Sequence, residues 1–149
     1  MTIRNVAEND LDELLNLYQN HLSTYHPENP LSREYALQVL NKIMSNSDYH
    51  IIIGDIDGRI VSSVTVIIVP NLTHGHRPYA VIENVVTHSD YRNKGYATAL
   101  MEYACKLAEK TGCYKVMLMT GSKKESTLRF YENCGFNSKE KTGFIRRFE

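Results

Sequence analysis

The sequence predicts a mixed α/β fold: a central sheet, part antiparallel and part parallel, with helices on both faces. The first observation is the order of periodic segments. It reads β-α-α-β-β-β-α-β-α-β-β, with a run of consecutive strands leading into a strand–helix–strand unit. The second is the stretch from Val81 to Ala108, where an apolar, β-branched run passes through a short polar turn into an amphipathic helix. Tyr114 to Thr120 follows as another apolar strand, and such a unit is a right-handed parallel crossover. The third is that the segments from Tyr49 to Thr87 are joined only by a hairpin and a loop, which makes them antiparallel neighbours. At 149 residues the chain is read as one domain, 1–149, large enough to bury its own core.

Taken in order, Thr2 to Val6 carries Ile3 and Val6 and reads as an edge strand. Asn9 or Asp10 can cap the next helix, whose first turn holds Asp12 and Glu13. Leu11, Leu14, Leu15, Tyr18 and Leu22 recur at helical spacing and form its buried stripe. Tyr25 to Pro30 is a loop punctuated by Pro27 and Pro30. Ser32 caps a second helix carrying Tyr35, Ala36, Val39, Leu40 and Ile43, which Asn46 to Asp48 ends. Tyr49 to Ile53 is a strand, Gly54 to Gly58 a turn with Asp57-Gly58 as its hairpin signal, and Arg59 to Val69 a long strand dense in Val and Ile. Pro70 to Pro78 is a loop and Tyr79 to Thr87 the next strand. Gly95 to Thr111 is a helix with Leu100, Tyr103, Ala104, Leu107 and Ala108 on its buried side, closed by Gly112. Ser122 to Asn133 holds the last helix, closed by Gly135. Phe136 to Ser138 and Gly143 to Phe148 read as a final antiparallel pair.

Basic and acidic residues both number 17, so the formal net charge is zero and bulk electrostatics supports neither nucleic-acid nor membrane-surface binding. The basic cluster at Arg92 and Lys94 is local, which suits a small anionic ligand. Cys105, Cys113 and Cys134 are odd in number and lack the spacing of a zinc site. They read as reduced thiols, with a catalytic thiol as the alternative, and no metal is expected. Met1-Thr-Ile-Arg-Asn5 shows no leader and no apolar run reaches membrane-spanning length, so the expected location is the cytoplasm.

The chemistry centres on Arg92-Asn93-Lys94-Gly95-Tyr96-Ala97-Thr98, between a strand and a helix. The first turn of a helix has unpaired N–H groups and the positive end of the dipole, so an anion fits there. The N–H groups from Asn93 to Thr98 thus read as a phosphate cradle, with Arg92 and Lys94 adding charge; the alternative is an ordinary basic turn. Glu83 is an acid in an otherwise apolar strand, costly to bury unless it is paired or serves a site. Period-two alternation puts it on one face with Val81, Val85 and Thr87. His74, His76 and Arg77 lie in the loop before that strand, where they either meet an anionic group of a substrate or are simply solvated.

Arg92-x-x-Gly95-x-Ala97 after a strand resembles the acetyl-CoA pyrophosphate loop of the GNAT N-acetyltransferase superfamily. Phe130-Tyr131-Glu132-x-x-Gly135-Phe136 at a helix end is similar to the family's second signature, and together the two cover most of the second half of the chain. The resemblance implies the acyl-CoA N-acyltransferase fold. It also implies a bulge that splays the strand at Val85, Val86 and Thr87 from its neighbour, leaving a gap for the pantetheine arm. It gives Tyr131 the role of protonating or hydrogen-bonding the CoA sulfur; otherwise Tyr131 is a half-buried packing residue. Glu83 becomes the general base, directly or through water; otherwise it is a structural acid. Asn84 is a candidate for orienting the substrate, and Tyr25, with His26, for lining the acceptor pocket together with His76. Ile82-Glu-Asn-Val-Val86 and Gly112-Cys-Tyr-Lys-Val116 look like the glucosamine-6-phosphate N-acetyltransferase branch. There the strand pair is usually Glu-Asp; here it is Glu83-Asn84. Thr127 stands where that branch often has an asparagine contacting CoA.

The expected function is acetyl-CoA-dependent N-acetyl transfer to a small primary amine by direct attack in a ternary complex, with no metal and no acyl-enzyme. The other readings are a non-catalytic acyl-CoA-binding or sensory module on the same fold, and a protein or peptide N-acetyltransferase. Gly143 to Phe148 alternates apolar residues in a way that suits an edge paired across a homodimer.

Overall fold

Strands β1 (Thr2–Asn5), β2 (Tyr49–Ile56), β3 (Arg59–Val69), β4 (Tyr79–Thr87) and β5 (Val116–Leu118) form one sheet in that order. All pairs are antiparallel except β4 and β5, which run parallel. The helices are α1 (Leu11–His21), α2 (Arg33–Met44), α3 (Tyr96–Lys110) and α4 (Glu125–Asn133). This computed structural model describes residues 1–29 and 31–148; Pro30, expected to punctuate the first loop, lies outside the described residues, as does Glu149.

Alternation along the central strands divides the side chains between two cores. Ile52, Val64, Val66 and Ile68 pack on one face with Ala80, Ile82 and the Leu100, Met101, Ala104 and Ala108 stripe of α3, and Phe130, Tyr131 and Phe136 close that layer. Ile51 and Ile53 face the other way, onto Leu11, Leu14 and Leu17 of α1 and Leu40 of α2. Each fully buried Ile or Leu contributes about 1.5–3 kcal/mol. Ser32 caps α2 by accepting the Tyr35 N–H at 3.1 Å. The hairpin between β2 and β3 turns on Asp57 and Gly58, both at positive φ, while the Asp55 carboxylate accepts the Gly58 N–H at 2.7 Å.

Several expectations change. The turn is shorter than Gly54 to Gly58: β2 continues to Ile56, because Gly54 still pairs with both Ile3 and Ser62. Asp10 does not cap α1 with its side chain. It accepts two bonds from the Arg4 guanidinium, at 2.6 and 2.9 Å, and the Ala7 N–H at 2.7 Å, closing a short 3₁₀ turn instead. Arg4 also reaches Asp55 at 2.8 Å, and its hydrogen bonds hold both carboxyls below the usual carboxylate range. Leu15, Leu22, Tyr35, Val39 and Tyr103 are exposed, whereas Leu17 and Met101 are buried. Periodicity finds the stripe, but the neighbouring elements decide which edge of it is covered. α4 starts at Glu125 rather than Ser122, and β5 spans only Val116–Leu118. The predicted final pair over 136–138 and 143–148 does not form: among the described residues that region has no strand. A strand needs a partner edge, and the neighbouring edge belongs to three-residue β5. Phe144, Ile145 and Phe148 are left exposed.

Candidate active site

The site is built where β4 leaves β5. The parallel ladder runs Ala80–Val116, Val81–Met117, Ile82–Leu118 and stops. β4 continues from Glu83 to Thr87 with no strand on that side among the described residues. On its other side β4 carries a bulge: Thr65 opposes Glu83 and Ser63 opposes Val86, so Asn84 and Val85 together face Val64. Asn84 takes the strain at φ 52°, a conformation that Asn tolerates better than most residues. The Ser62 Oγ steadies the bulge by donating to the Val86 carbonyl at 2.9 Å, with the Thr87 hydroxyl also 2.9 Å away.

The bulge corrects the alternation. Ala80 and Ile82 belong to the core under α3, and Val85 packs against that same core, whereas Val86 belongs to the core under α1 and α2. The faces therefore invert at Asn84. Glu83 shares its face with Val86 rather than with Val85, and this is the α1/α2 face.

Beyond β4, a short 3₁₀ turn (Ser89–Tyr91) leads to the basic loop. Asn93 and Gly95 both have positive φ, 59° and 79°, curling successive N–H groups inward. At Gly95 the space for a side chain is open; the backbone angle is what requires glycine. The first helical bond is Ala99 N–H to the Gly95 carbonyl at 3.0 Å; among the described residues, the N–H groups from Asn93 to Thr98 have no protein acceptor. The first turn of α3 holds no acid. Arg92 Nε donates to the Thr87 carbonyl at 3.1 Å, tying the loop to the strand end. Lys94 Nζ donates to the Asp90 carbonyl at 2.9 Å and lies 5.0 Å from the Tyr91 ring centre.

Tyr131, on α4, packs against the α3-side core and stands close enough to Glu83 to feel its charge. The helix ends in a Schellman turn: Phe136 N–H reaches the Tyr131 carbonyl at 3.1 Å and Gly135 N–H the Glu132 carbonyl at 2.9 Å, with Gly135 at φ 90°. The Gly-Phe of the motif is thus what fixes Tyr131. Its ring is half-buried, 5.0 Å from Phe130. Burial pushes its phenol up, helped by the nearby Cys134 thiol and Glu83 carboxylate, which keeps it protonated. Glu83 is exposed and also acts on Tyr49, whose phenol burial and the Glu83 charge together push up. Thr127, in the first turn of α4, accepts from the Ser122 hydroxyl at 3.2 Å.

Glu83, Asn84, Val85, Val86, Thr87 and the loop from Arg92 to Thr98 thus form one continuous run with Tyr131 beside it. Tyr25, by contrast, is 76% exposed in the α1–α2 loop. His76 sits exposed at φ 63° in the loop before β4. The loop is tied down by two of its residues. Arg77 donates to the Gly112 and Cys113 carbonyls at 3.1 Å, and His74 stacks on Tyr114 at 3.9 Å, holding it at the opposite end of β4 from the basic loop. What sequence reasoning missed is the floor of the α1/α2 face, where Tyr18, Ser63 and Thr65 gather beside Glu83. The available signal was the three hydroxyl residues Ser62, Ser63 and Thr65 in a strand otherwise rich in Val and Ile.

Comparison with known proteins follows the same outline. The model of the acetyltransferase (GNAT) family matches residues 11–136. The chain is 40% identical over 84 residues to glucosamine 6-phosphate N-acetyltransferase of Trypanosoma brucei brucei, a match covering 56% of this chain and 55% of that protein. An uncharacterized N-acetyltransferase of Methanocaldococcus jannaschii is 28% identical over 141 residues, 93% of this chain and 62% of that protein. The chain therefore spans little more than half the length of these curated relatives. A solved structure from Agrobacterium tumefaciens str. C58, with a provisional acetyltransferase assignment, superposes at a TM-score of 0.92 with 39% identity, covering 99% of this chain and 100% of the other. No helix among the described residues is long and apolar enough to cross a membrane. With the bulged β4, the N–H-lined loop and the Tyr131 turn in place, the chain belongs to the GNAT acetyltransferase family.

Proposed function

We propose that the protein is an acetyl-CoA-dependent N-acetyltransferase acting on a small primary amine by direct attack in a ternary complex. The observation that carries this reading is the end of β4–β5 pairing at Ile82–Leu118, immediately before Glu83, with Tyr131 close enough to that carboxylate to feel its charge. Acetyl-CoA, as co-substrate, supplies the acetyl group as a thioester. The N–H groups from Asn93 to Thr98 bind its pyrophosphate, and Arg92 and Lys94 add positive charge. The unpaired edge of Val85, Val86 and Thr87 pairs with the pantetheine arm, with Thr127 at its side. Glu83 takes the proton of the attacking amine through water, backbone groups near Val85 polarise the thioester carbonyl, and Tyr131 holds a proton toward the departing sulfur.

The cysteines take no part. Burial pushes the Cys105, Cys113 and Cys134 thiols up, the reverse of an activated nucleophile, which supports direct transfer over an acyl-cysteine. Asn84, Tyr25 and His76 are the residues assigned to the acceptor. The trypanosomal relative's name makes a phosphorylated amino sugar the first acceptor to try. A cytoplasmic location suits three free thiols. The exposed Phe144, Ile145 and Phe148 support a homodimer.

The test is thiol release from acetyl-CoA against a panel of amino sugars and their phosphates, polyamines, aminoglycosides, amino acids and peptides, with wild type beside Tyr131→Phe and Glu83→Gln. Turnover on one small-amine class, slowed in both variants, supports the reading. Turnover only on peptides moves it to a protein acetyltransferase, and binding of acetyl-CoA with no turnover on any amine moves it to a sensory module.

A further inference from the structure

Thr65 is the anomaly of the α1/α2 face. It is 1% exposed, and among the described residues its Oγ1 is the one buried side-chain polar atom without a hydrogen-bond partner. A bare buried hydroxyl forfeits its bonds to water and gains none in return, so it is destabilising. Valine has nearly the same shape and lacks that cost, and β3 already uses it at Val61, Val64, Val66 and Val69. The hydroxyl is therefore not explained by packing.

Its surroundings supply a reason. Thr65 lies directly opposite Glu83 in the β3–β4 ladder, so their Cβ atoms stand about 4.5–5.5 Å apart on one face. From α1, the Tyr18 hydroxyl comes down over the same face. It is 3.3 Å from the Ser63 oxygen, long for a bond between hydroxyls, and it lies near Thr65 Oγ1 without reaching bonding geometry. Ser63 is as buried as Thr65. Three hydroxyls thus share one long hydrogen bond beside the acid assigned to deprotonation. Such a cluster has donor and acceptor capacity for one more small polar partner.

We propose that Thr65, with Tyr18 and Ser63, is a positioning site that holds one ordered water against the Glu83 carboxylate, and that the proton of the attacking ammonium leaves through this water. The inference rests on the reading of Glu83 as the base. As the nitrogen gives up its proton, the water takes it and passes one of its own to a Glu83 oxygen. The amine becomes neutral with its lone pair free, and the carboxylate becomes the carboxylic acid. Thr65, Tyr18 and Ser63 orient the water and are unchanged at the end.

The experiment compares wild type, Thr65→Val, Thr65→Ser and Glu83→Gln by thermal unfolding, by steady-state acetyl transfer to the amine turned over fastest in the panel, and by high-resolution crystallography. Thr65→Val should unfold at the same or a higher temperature, because an unpaired hydroxyl is gone, yet lose about 10- to 100-fold in kcat with the KM for acetyl-CoA unchanged. Thr65→Ser should recover most of that loss. The wild-type crystal should hold a water bonded to Thr65 Oγ1 and to Glu83, lost in Thr65→Val, and this arm needs no acceptor. Wild-type turnover in Thr65→Val, equal impairment in Thr65→Ser, or no water at Thr65 overturns the inference. If instead Glu83→Gln keeps wild-type turnover, the base assignment fails, an outcome distinct from an inactive Glu83→Gln beside a fully active Thr65→Val.

Discussion

On one side of the opening in the sheet, the loop from Asn93 to Thr98 offers backbone N–H groups, arranged by two positive-φ residues that follow one another closely in the chain. On the other side, around Glu83, the groups on offer are side chains: Thr65 from β3, Tyr18 from α1 and Tyr49 from β2 on its own face of the sheet, and Tyr131 of α4 from the α3 layer. In the proposed function the first region recognises a feature common to every CoA ester, and backbone suffices for it because a phosphate asks only for donors and positive potential. In the same proposal the second region sorts acceptors and manages protons, which requires side chains of chosen chemistry at chosen heights above the sheet. Substitutions in the two regions should therefore fail differently, the loop in binding and the face in chemistry.

The largest effect should come from Glu83→Gln. Removing the proposed base while keeping shape should cut kcat by about 100- to 10,000-fold and leave acetyl-CoA binding in place, as read by steady-state kinetics beside calorimetry. A loss of acetyl-CoA binding would put Glu83 on the wrong side of the comparison. Next is Tyr131→Phe, which keeps the ring against Phe130 but removes the proton held toward sulfur; kcat should fall about 100-fold with an unchanged unfolding midpoint. Equal activity would return Tyr131 to a packing role. Gly95→Val should act on the other side. Holding a β-branched residue at φ 79° costs about 1–2 kcal/mol or more, so the KM for acetyl-CoA should rise about 10-fold while kcat at saturation holds. A fall in kcat alone would deny the loop its binding role.

Smallest in its effect on turnover is Asp10→Asn, a residue that belongs to neither region. Losing charge-assisted bonds to Arg4 should cost about 2 kcal/mol of stability and leave kcat unaltered. The sign of the pH dependence follows from the lowered carboxyls of Asp10 and Asp55. Their contribution is complete above the ordinary Asp value, about 3.9, and is lost as pH falls through their lower folded values. Acid unfolding of Asp10→Asn should therefore be less steep than that of wild type. An identical acid transition would show that Arg4 contributes nothing there.

The same division decides what the sequence made legible. Arg92, Gly95 and Ala97, and likewise Tyr131, Gly135 and Phe136, act over a few consecutive residues, so their spacing alone announces a helix entrance and a Schellman exit. The bulge at Asn84 is set by the pairing of β4 with β3, and residue-by-residue alternation put Glu83 on a face with Val85 that the bulge denies it. Tyr18 and Ser63 meet across 45 positions of chain, and Tyr18 looked like one more member of an apolar stripe. The last predicted strands failed for a related reason: the alternation around Phe144 and Phe148 is real, but a strand exists only with an edge to pair with, and three-residue β5 provides little of one.

The most direct test of the account is to measure acetyl-CoA binding and acetyl transfer on the same preparation of Glu83→Gln. The account predicts calorimetric affinity for acetyl-CoA within about twofold of wild type and turnover reduced at least about 100-fold. Turnover equal to wild type, or affinity lost together with turnover, would contradict the separation of a backbone-built binding side from a side-chain-built reacting side.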